Sequence, residues 1–197
     1  SSPSRGLGDV YKRQGYSLAS SVIEAFDAGN FEASPNPSLT VRSIEIELGI
    51  ENFMLSIGTL LGVIDSDLKF SLIPPFIRYL SEVAFIQLGD ASITGVPGEL
   101  YPEIAVGGIE NPIGADYDLA PQEVPHLRSQ FPNKLNLMVN LVNDSIGYII
   151  PKSEWDNDAP WIYGETEETY GEVVSLGPNT APIIHEKIVD LIEESKK

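Results

Sequence analysis

Apolar side chains recur at helical spacing near both ends of the chain. Near the N-terminus one helical face would carry Leu18, Val22, Ala25 and Phe26. Gly29 stands where a left-handed C-terminal cap belongs, so the pattern predicts an amphipathic helix over residues 17–28. Near the C-terminus Asn179 and an early-turn Pro182 precede a second such face, formed by Ile184, Ile188, Leu191 and Ile192. A capped terminal helix is therefore predicted.

The sequence predicts strands in three regions outside these helices. From Leu39 onward the alternation is typical of a strand with one face in solvent. A second, short strand is predicted over residues 53–57. Residues 135–142 are apolar at almost every other position, which predicts a mostly buried strand that ends at Asn143.

A hairpin is predicted in the middle of the chain. Residues 82–88 and 93–96 are rich in residues that favour strands, and Gly89 and Asp90 between them favour a tight turn. The second strand of this hairpin leads directly to Glu99.

The remaining segments complete a prediction of a mixed α/β fold. A helix is predicted after Glu99, a surface insertion over residues 107–121, and a short helix over residues 123–130. Strands near 83–96 and 136–150 are predicted to share one sheet, with helices packed on it. Because the pattern shows no internal repeat and no linker, we expect one globular unit after the N-terminal segment.

Composition narrows the classes of partner. The chain has 197 residues with 42% hydrophobic side chains, enough for a core, and its net charge of −17 repels phosphate backbones and anionic membranes. Nucleic acid is therefore excluded as an expected partner. The chain has no cysteine, which removes disulfides and thiolate zinc ligands. It also lacks the run of about 20 apolar residues that a membrane helix needs.

The first fourteen residues are interpreted as a leader that is not natural protein. Residues 9–14, Asp-Val-Tyr-Lys-Arg-Gln, match codon for codon the translation of a transposon adapter used in sequencing libraries, GATGTGTATAAGAGACAG. Residues 1–14 are therefore expected to be irregular and to make few apolar contacts. Without Arg5, Lys12, Arg13 and Asp9 the charge changes from −17 to −19. Residues 15–197 are then expected to be the C-terminal portion of a longer natural protein.

Three segments, taken in order, resemble motifs of the neutral ceramidase family. The first runs from Gly89 through Pro97 and Gly98 to Glu99. The second is Asn143-Asp-Ser-Ile-Gly-Tyr148, and the third is Tyr170-Gly-Glu-Val-Val-Ser175-Leu-Gly-Pro-Asn-Thr180. The resemblance extends from about Val83 to the end of the chain.

The resemblance implies a zinc-dependent amide hydrolase. It implies that Glu99 and Tyr148 are zinc ligands, that Tyr148 also serves catalysis, and that three further residues support this site: Asn143, Tyr170 and Ser175. The family's two zinc histidines and its serine would lie upstream of this chain. Residues 109–118 look inserted between the two ligand motifs, and residues 100–104 replace an arginine-rich helix of the family, so the exact lipid substrate stays open.

The residue chemistry agrees with oxygen ligation but does not by itself require it. Zinc accepts carboxylate oxygens, and a phenol that loses its proton to a dication becomes an anionic ligand. Taken alone, Glu99 would be a favourable charge at a helix N-terminus and Tyr148 an ordinary strand residue. His126 and His185 match no ligand motif and are interpreted as surface or helix histidines. The acidic residues at 65–67 and 165–168 are interpreted as solvated loop charges.

The resulting hypothesis is hydrolysis of the N-acyl bond of ceramide or a similar lipid amide to a fatty acid and a sphingoid base. Export to the periplasm or the medium is expected, with the signal in the missing upstream part. An alternative is a non-catalytic binding or structural module of an exported protein. Sugar hydrolysis by a carboxylate pair is a weaker alternative, because no spacing singles out a pair. Since the missing part would cover the sheet, we also expect an exposed apolar face.

Overall fold

The protein is described by a computed structural model that covers residues 3–29, 35–64, 66–132, 135–167 and 169–196, with side chains from residue 8 onward. The chain divides into two compact units, Ser1–Asn36 and Pro37–Lys197. The described residues of the first unit form the helix α1 (Pro3–Asp27), and Gly29 follows it with a φ of 62°. The helix predicted over residues 17–28 and its left-handed glycine are thus confirmed.

The prediction of an irregular segment over residues 1–14 is wrong, since residues 3–14 form the first half of α1. Once a helix has nucleated, each added residue gains a hydrogen bond at the cost of ordering one residue, so a helix at 17–27 can extend backward. Between Pro3 and Asp27 no further proline interrupts it. Residues 8–29 are all exposed.

The second unit is built on a mixed five-stranded sheet and a small parallel pair. The strands are β1 (Leu39–Gly49), β2 (Leu68–Phe70), β3 (Ile77–Leu88), β4 (Ala91–Gly95), β5 (Glu99–Leu100), β6 (Leu135–Val139) and β7 (Tyr148–Ile149). The main sheet has the order β1-β3-β4-β6, and β2 also pairs with β3. The pair β4/β6 is parallel and the others in this sheet are antiparallel, while β5 and β7 form a separate parallel pair. The hairpin predicted around Gly89 is confirmed.

Helices complete a mixed α/β fold, as predicted. They are α2 (Phe53–Leu60), α3 (Pro102–Val106), α4 (Tyr170–Val173) and α5 (Thr180–Ser195). Single 3-10 turns cover Leu127–Gln130, Lys152–Glu154 and Ile162–Gly164. Of the helix predicted over residues 123–130 only the last four residues are helical.

The core lies between α5 and one face of the main sheet. All four apolar residues predicted for one face of α5 are buried: Ile184, Ile188, Leu191 and Ile192. They belong to the same buried cluster as Val83 and Phe85 of β3, and α5 contacts both β1 and β3. At about 1.5–3 kcal/mol for each fully buried aliphatic side chain, this face of α5 contributes most of what holds the helix in place.

The strand predicted over residues 53–57 is wrong, because this segment forms α2. Asn52 caps the helix: its side-chain oxygen accepts hydrogen bonds from the backbone N–H groups of Met54 and Leu55, at 3.0 and 3.1 Å. A cap of this kind satisfies N–H groups that a helix otherwise leaves free. A short apolar run fits a strand and a helix equally well, and the cap decides between them.

The strand predicted over residues 135–142 is confirmed for residues 135–139, which form β6, whereas residues 140–142 lie outside it. Its burial was predicted wrongly. It is an edge strand that pairs with β4 alone in the described part of the chain, and its outward side chains are exposed. The face opposite α5 exposes several large apolar residues, among them Leu39, Val41, Leu88, Ile93, Leu135 and Leu137. The predicted exposed apolar face is therefore confirmed. None of the described helices is long and apolar enough to span a membrane.

Candidate functional site

The two residues predicted as zinc ligands lie directly opposite each other. Strands β5 and β7 run parallel, and their register pairs Glu99 with Tyr148. Two backbone hydrogen bonds hold this register: Glu99 N–H donates to the Gly147 carbonyl at 2.9 Å, and Tyr101 N–H donates to the Ile149 carbonyl at 3.1 Å. Paired residues on neighbouring strands point to the same face, so the two side chains share one side of this pair of strands. The prediction that residues 136–150 form part of the main sheet is wrong for Tyr148, which lies in the small sheet.

Glycines allow the strands to approach here. A Cβ on Gly98 would stand 2.5 Å from the Gly147 carbonyl oxygen. Gly147 has a φ of +89°, and a Cβ there would stand 1.8 Å from the Val174 carbonyl oxygen. A side chain at either position would therefore collide with backbone that cannot move aside. This explains why Pro97-Gly98-Glu99 and Gly147-Tyr148 carry glycine immediately before each candidate ligand.

The charge of the Glu99 carboxylate raises the pKa of the Tyr148 phenol above its ordinary value. Partial burial, a side-chain hydrogen bond to Glu99 and the neighbouring Tyr170 raise this pKa further. The neutral phenol therefore keeps its proton near the carboxylate. A dication between the two oxygens would reverse this balance, because it favours the phenolate.

Two further tyrosines flank the Tyr148 ring. Tyr101 and Tyr170 each meet it edge to face, with ring centroids 6.0 Å away in both cases. Burial raises the pKa of Tyr101 to about 12, and the charge of Glu172 adds to this effect. Tyr170 was predicted to support the site, and it does contact Tyr148. Tyr101 was missed, although its position two residues after Glu99 in an extended segment could have indicated it.

Of the other two predicted supporting residues, Ser175 contacts Tyr148 and Asn143 does not. Ser175 donates a hydrogen bond from its hydroxyl to the Tyr148 backbone carbonyl at 2.8 Å, so it orients the strand that carries the phenol. Asn143 has a φ of 68° and donates from its side-chain amide to a Glu82 carboxylate oxygen on β3 at 2.6 Å. Asn143 therefore ties its loop to the main sheet rather than to Tyr148.

Buried acids lie behind the tyrosines and were not predicted. Glu172 is 4% exposed, and burial raises its pKa to about 7, with further contributions from the charges of Asp156 and Asp116. The Thr169 hydroxyl donates a hydrogen bond to its carboxylate. Asp156 is fully buried: one oxygen accepts the Ile162 N–H at 3.0 Å, and the other has no hydrogen-bond partner. Burial also raises the pKa of Asp156.

The histidines contact backbone carbonyls. His126 Nδ1 lies 3.2 Å from the Ala105 carbonyl oxygen, and His185 Nε2 lies 3.0 Å from that of Pro125. His185 is buried in α5, so the interpretation as a helix histidine is confirmed for it. Within the described ranges no three His, Cys, Asp or Glu side chains converge on a possible metal position. Asp67 and residues 165–167 are exposed, as predicted, while positions 65 and 168 lie outside the described residues.

No protein-family model, no curated protein and no solved structure matches this chain. The resemblance to neutral ceramidases thus remains an expectation drawn from three short motifs. What is established is a mixed α/β fold with a carboxylate and a phenol paired on adjacent parallel strands.

Proposed function

We propose that the chain is part of a zinc-dependent hydrolase that cleaves the N-acyl bond of ceramide or a similar lipid amide. The observation that carries this proposal is the pairing of Glu99 and Tyr148 across β5 and β7. The two motifs that resemble the family's ligand segments are distant in sequence, and their candidate ligands are neighbours in space. The proposal includes an exported parent protein, in the periplasm or the medium.

The donor chemistry of the pair fits zinc. Two oxygens that each lie about 2.0 Å from one tetrahedral zinc ion stand about 3.3 Å apart, which is close to hydrogen-bond distance. The charge of Glu99 acts on the Tyr148 phenol, and the register of β5 and β7 places both residues on one side of this pair of strands. Two oxygens form half of a tetrahedral shell. The other half would come from histidines outside this chain, as the resemblance implies.

Each residue has a definable part in this site. When bound, zinc would supply Lewis acidity toward the amide carbonyl and a lowered pKa for a water molecule. Glu99 would bind through a charged oxygen, and the Tyr148 phenol would also lie where it can stabilise a developing oxyanion. Ser175 holds the Tyr148 backbone, and the rings of Tyr101 and Tyr170 pack edge to face against the Tyr148 ring.

A nearby apolar pocket supports a lipid substrate. A pocket of about 210 Å³ adjoins the backbone on the N-terminal side of Tyr148, with Ile146, Gly147 and Val174 in its wall. Leu55, Ile64 and Leu176 add to its apolar lining. Binding of a hydrocarbon chain in such a pocket is favourable because apolar surface of both the chain and the pocket is removed from water.

The decisive experiment uses the longest natural reading frame that contains residues 15–197. The purified protein is incubated with a fluorescently labelled N-acyl sphingoid lipid, with zinc content measured on the same sample. We expect one zinc per chain, release of labelled fatty acid, and loss of both after dialysis against a chelator. Activity should return with added zinc.

The competing hypothesis is a non-catalytic binding or structural module. It predicts a well-folded parent protein that neither retains zinc nor hydrolyses the labelled lipid. Such a result would reject the hydrolase proposal and leave the acidic surface and the exposed sheet face as the features to explain.

A further inference from the structure

The main sheet presents an uncharged face on the side away from α5. Three rows of side chains cross its four strands. The central row is Val41, Ile86, Ile93 and Leu137, and the row toward the hairpin turn is Leu39, Leu88, Ala91 and Leu135. The third row is Ser43, Ala84, Gly95 and Val139. None of these twelve positions carries a charged side chain. We call the three rows the apolar face.

The apolar face continues along the strands into an acidic groove. The next row pairs Glu45 with Glu82, and Glu47 follows on the same side of β1. The groove has a volume of about 600 Å³, and four carboxylates and one lysine line it on this side, while Asp144 in its wall accepts hydrogen bonds from Tyr79 and Ser81 on the α5 side. The lysine, Lys69, already pairs with Glu47. One side of the sheet thus combines an apolar half with a negatively charged half.

The apolar face has the properties of a surface that is normally covered. Leu39 and Val41 are each 65% exposed, and Leu137 is 49% exposed. Contiguous apolar patches on single soluble chains mark interaction sites more often than scattered apolar residues do.

Charge and size select the kind of partner. A second copy would bring another acidic groove and another net charge of −17 to the interface, which opposes stable pairing. Measured along β1 from residue 39 to residue 47, the apolar face and the acidic groove together span about 26 Å. This is the length of a helix of about 17 residues. Across four strands the face measures about 14 Å, which accommodates one helix of about 10–12 Å diameter.

We propose that this side of the sheet binds one amphipathic α-helix of another polypeptide. The apolar stripe of the helix lies on the apolar face, and lysine or arginine residues at one end lie over the acidic groove. This inference does not rest on the proposed hydrolase function, so either can fail without the other.

The test uses the full chain and a labelled 18-residue probe peptide with leucines along one helical face and four lysines at one end. Binding is followed by fluorescence anisotropy. We expect the lysine peptide to bind at least about tenfold more tightly than a peptide with glutamate in place of lysine, or one with the leucines scrambled. Raising the salt from about 0.05 M to about 0.3 M should weaken the lysine peptide most.

Matched variants locate the site. Val41→Asn and Leu137→Asn should each weaken binding about tenfold, whereas Leu61→Asn, at an exposed leucine beyond α2, should leave it unchanged. The pair Glu45→Gln and Glu82→Gln should abolish the preference for lysine over glutamate. Circular dichroism and thermal midpoints show whether each variant is folded.

Four results would overturn the proposal. If the longest natural reading frame that contains residues 15–197 does not bind the probe that residues 1–197 bind, a segment of the same protein covers the face. Equal binding of the scrambled peptide, or equal loss with Leu61→Asn, would show that the face has no specific role. Concentration-dependent dimerisation that Val41→Asn abolishes would assign the face to a second copy. Binding to vesicles of neutral lipid with the same sensitivity to Val41→Asn would assign it to a lipid surface.

Discussion

Glu99 and Tyr148 occupy directly opposed positions on the parallel strands β5 and β7. The charge of the carboxylate is the largest cause of the raised pKa of the phenol. A carboxylate that holds a phenol in its neutral form is a local arrangement that a metal cation would invert.

In the parent protein, Glu99→Gln should lower zinc content and lipid-amide hydrolysis together. The substitution keeps the shape of the side chain and removes the charge that zinc requires. Tyr148→Phe keeps the ring and its contacts with Tyr101 and Tyr170 but removes the proposed ligand oxygen. We expect it to reduce turnover at least about 100-fold with little change in the thermal midpoint.

Tyr170→Phe and Glu165→Gln are the matched controls. Tyr170 contacts Tyr148 through its ring, which phenylalanine retains, and Glu165 lies in an exposed loop. Both variants should keep zinc and most of the activity. If Glu99→Gln and Tyr148→Phe behave like these controls, the ligand assignments are wrong.

The chain of residues 1–197 alone should bind zinc weakly and show no amidase activity. Glu99 and Tyr148 offer two oxygens, and no larger cluster of metal-binding side chains was found among the described residues. Without imidazole ligands the ion keeps most of its water. Calorimetric titration should show no tight stoichiometric phase. A submicromolar one-to-one site with turnover would contradict the proposal that half of the site is missing.

Gly147→Ala should strongly destabilise the fold. The left-handed backbone conformation costs alanine about 1–2 kcal/mol of folding stability, and the alanine Cβ would also collide with the Val174 carbonyl oxygen. Gly62→Ala is the matched control, because Gly62 has a φ of +69° with open space around it. Urea unfolding should show about 1–2 kcal/mol for Gly62→Ala and more than about 4 kcal/mol for Gly147→Ala. Equal losses would contradict the close approach of the strand to residue 174.

Glu172 should make stability depend on pH. Burial raises its native pKa to about 7, above the ordinary value of 4.5, so the folded state binds the proton more tightly than the unfolded state. The stabilisation is complete below about pH 4.5 and is lost as pH rises toward about 7. At about 1.4 kcal/mol per pKa unit, the free energy of unfolding should fall by at most about 3.5 kcal/mol. Asp156, Asp116 and Tyr101 are the titratable groups that face this carboxyl.

The test compares urea unfolding at about pH 5 and about pH 8. The Glu172→Gln variant should be more stable than the natural chain at about pH 8. The difference between its free energies of unfolding at about pH 5 and about pH 8 should also be smaller than in the natural chain. Glu167→Gln, in an exposed loop, should keep the full pH dependence. A natural chain whose stability rises with pH over this interval would exclude a dominant role for Glu172.

Local patterns were sufficient for the elements whose own residues carry the signal. The four apolar residues of α5 repeat at helical spacing, and Gly89 supplies a turn between two runs of strand-forming residues. Gly29 likewise ends α1 in the left-handed conformation. In each case the information lies within a few neighbouring residues, so no distant contact was needed to predict it.

The sequence alone was sufficient to predict the candidate ligands, but only some of the residues that support them were predicted correctly. Ordered motifs singled out Glu99 and Tyr148, together with Tyr170 and Ser175, which do contact Tyr148. Asn143 was grouped with them because it is close in sequence, yet its amide binds Glu82. Sequence proximity cannot show which of two nearby elements a loop side chain faces.

What the sequence by itself determined is the class of fold, the positions of most elements and the identity of the two paired residues. Tertiary structure decided the rest, because each open question depended on contacts between distant segments. Asn52 caps α2 as a helix, and the edge position of β6 exposes a strand that is apolar enough to be buried. Burial of Glu172 likewise arises only where separate segments meet, since a side chain's distance from water is a property of the packed chain.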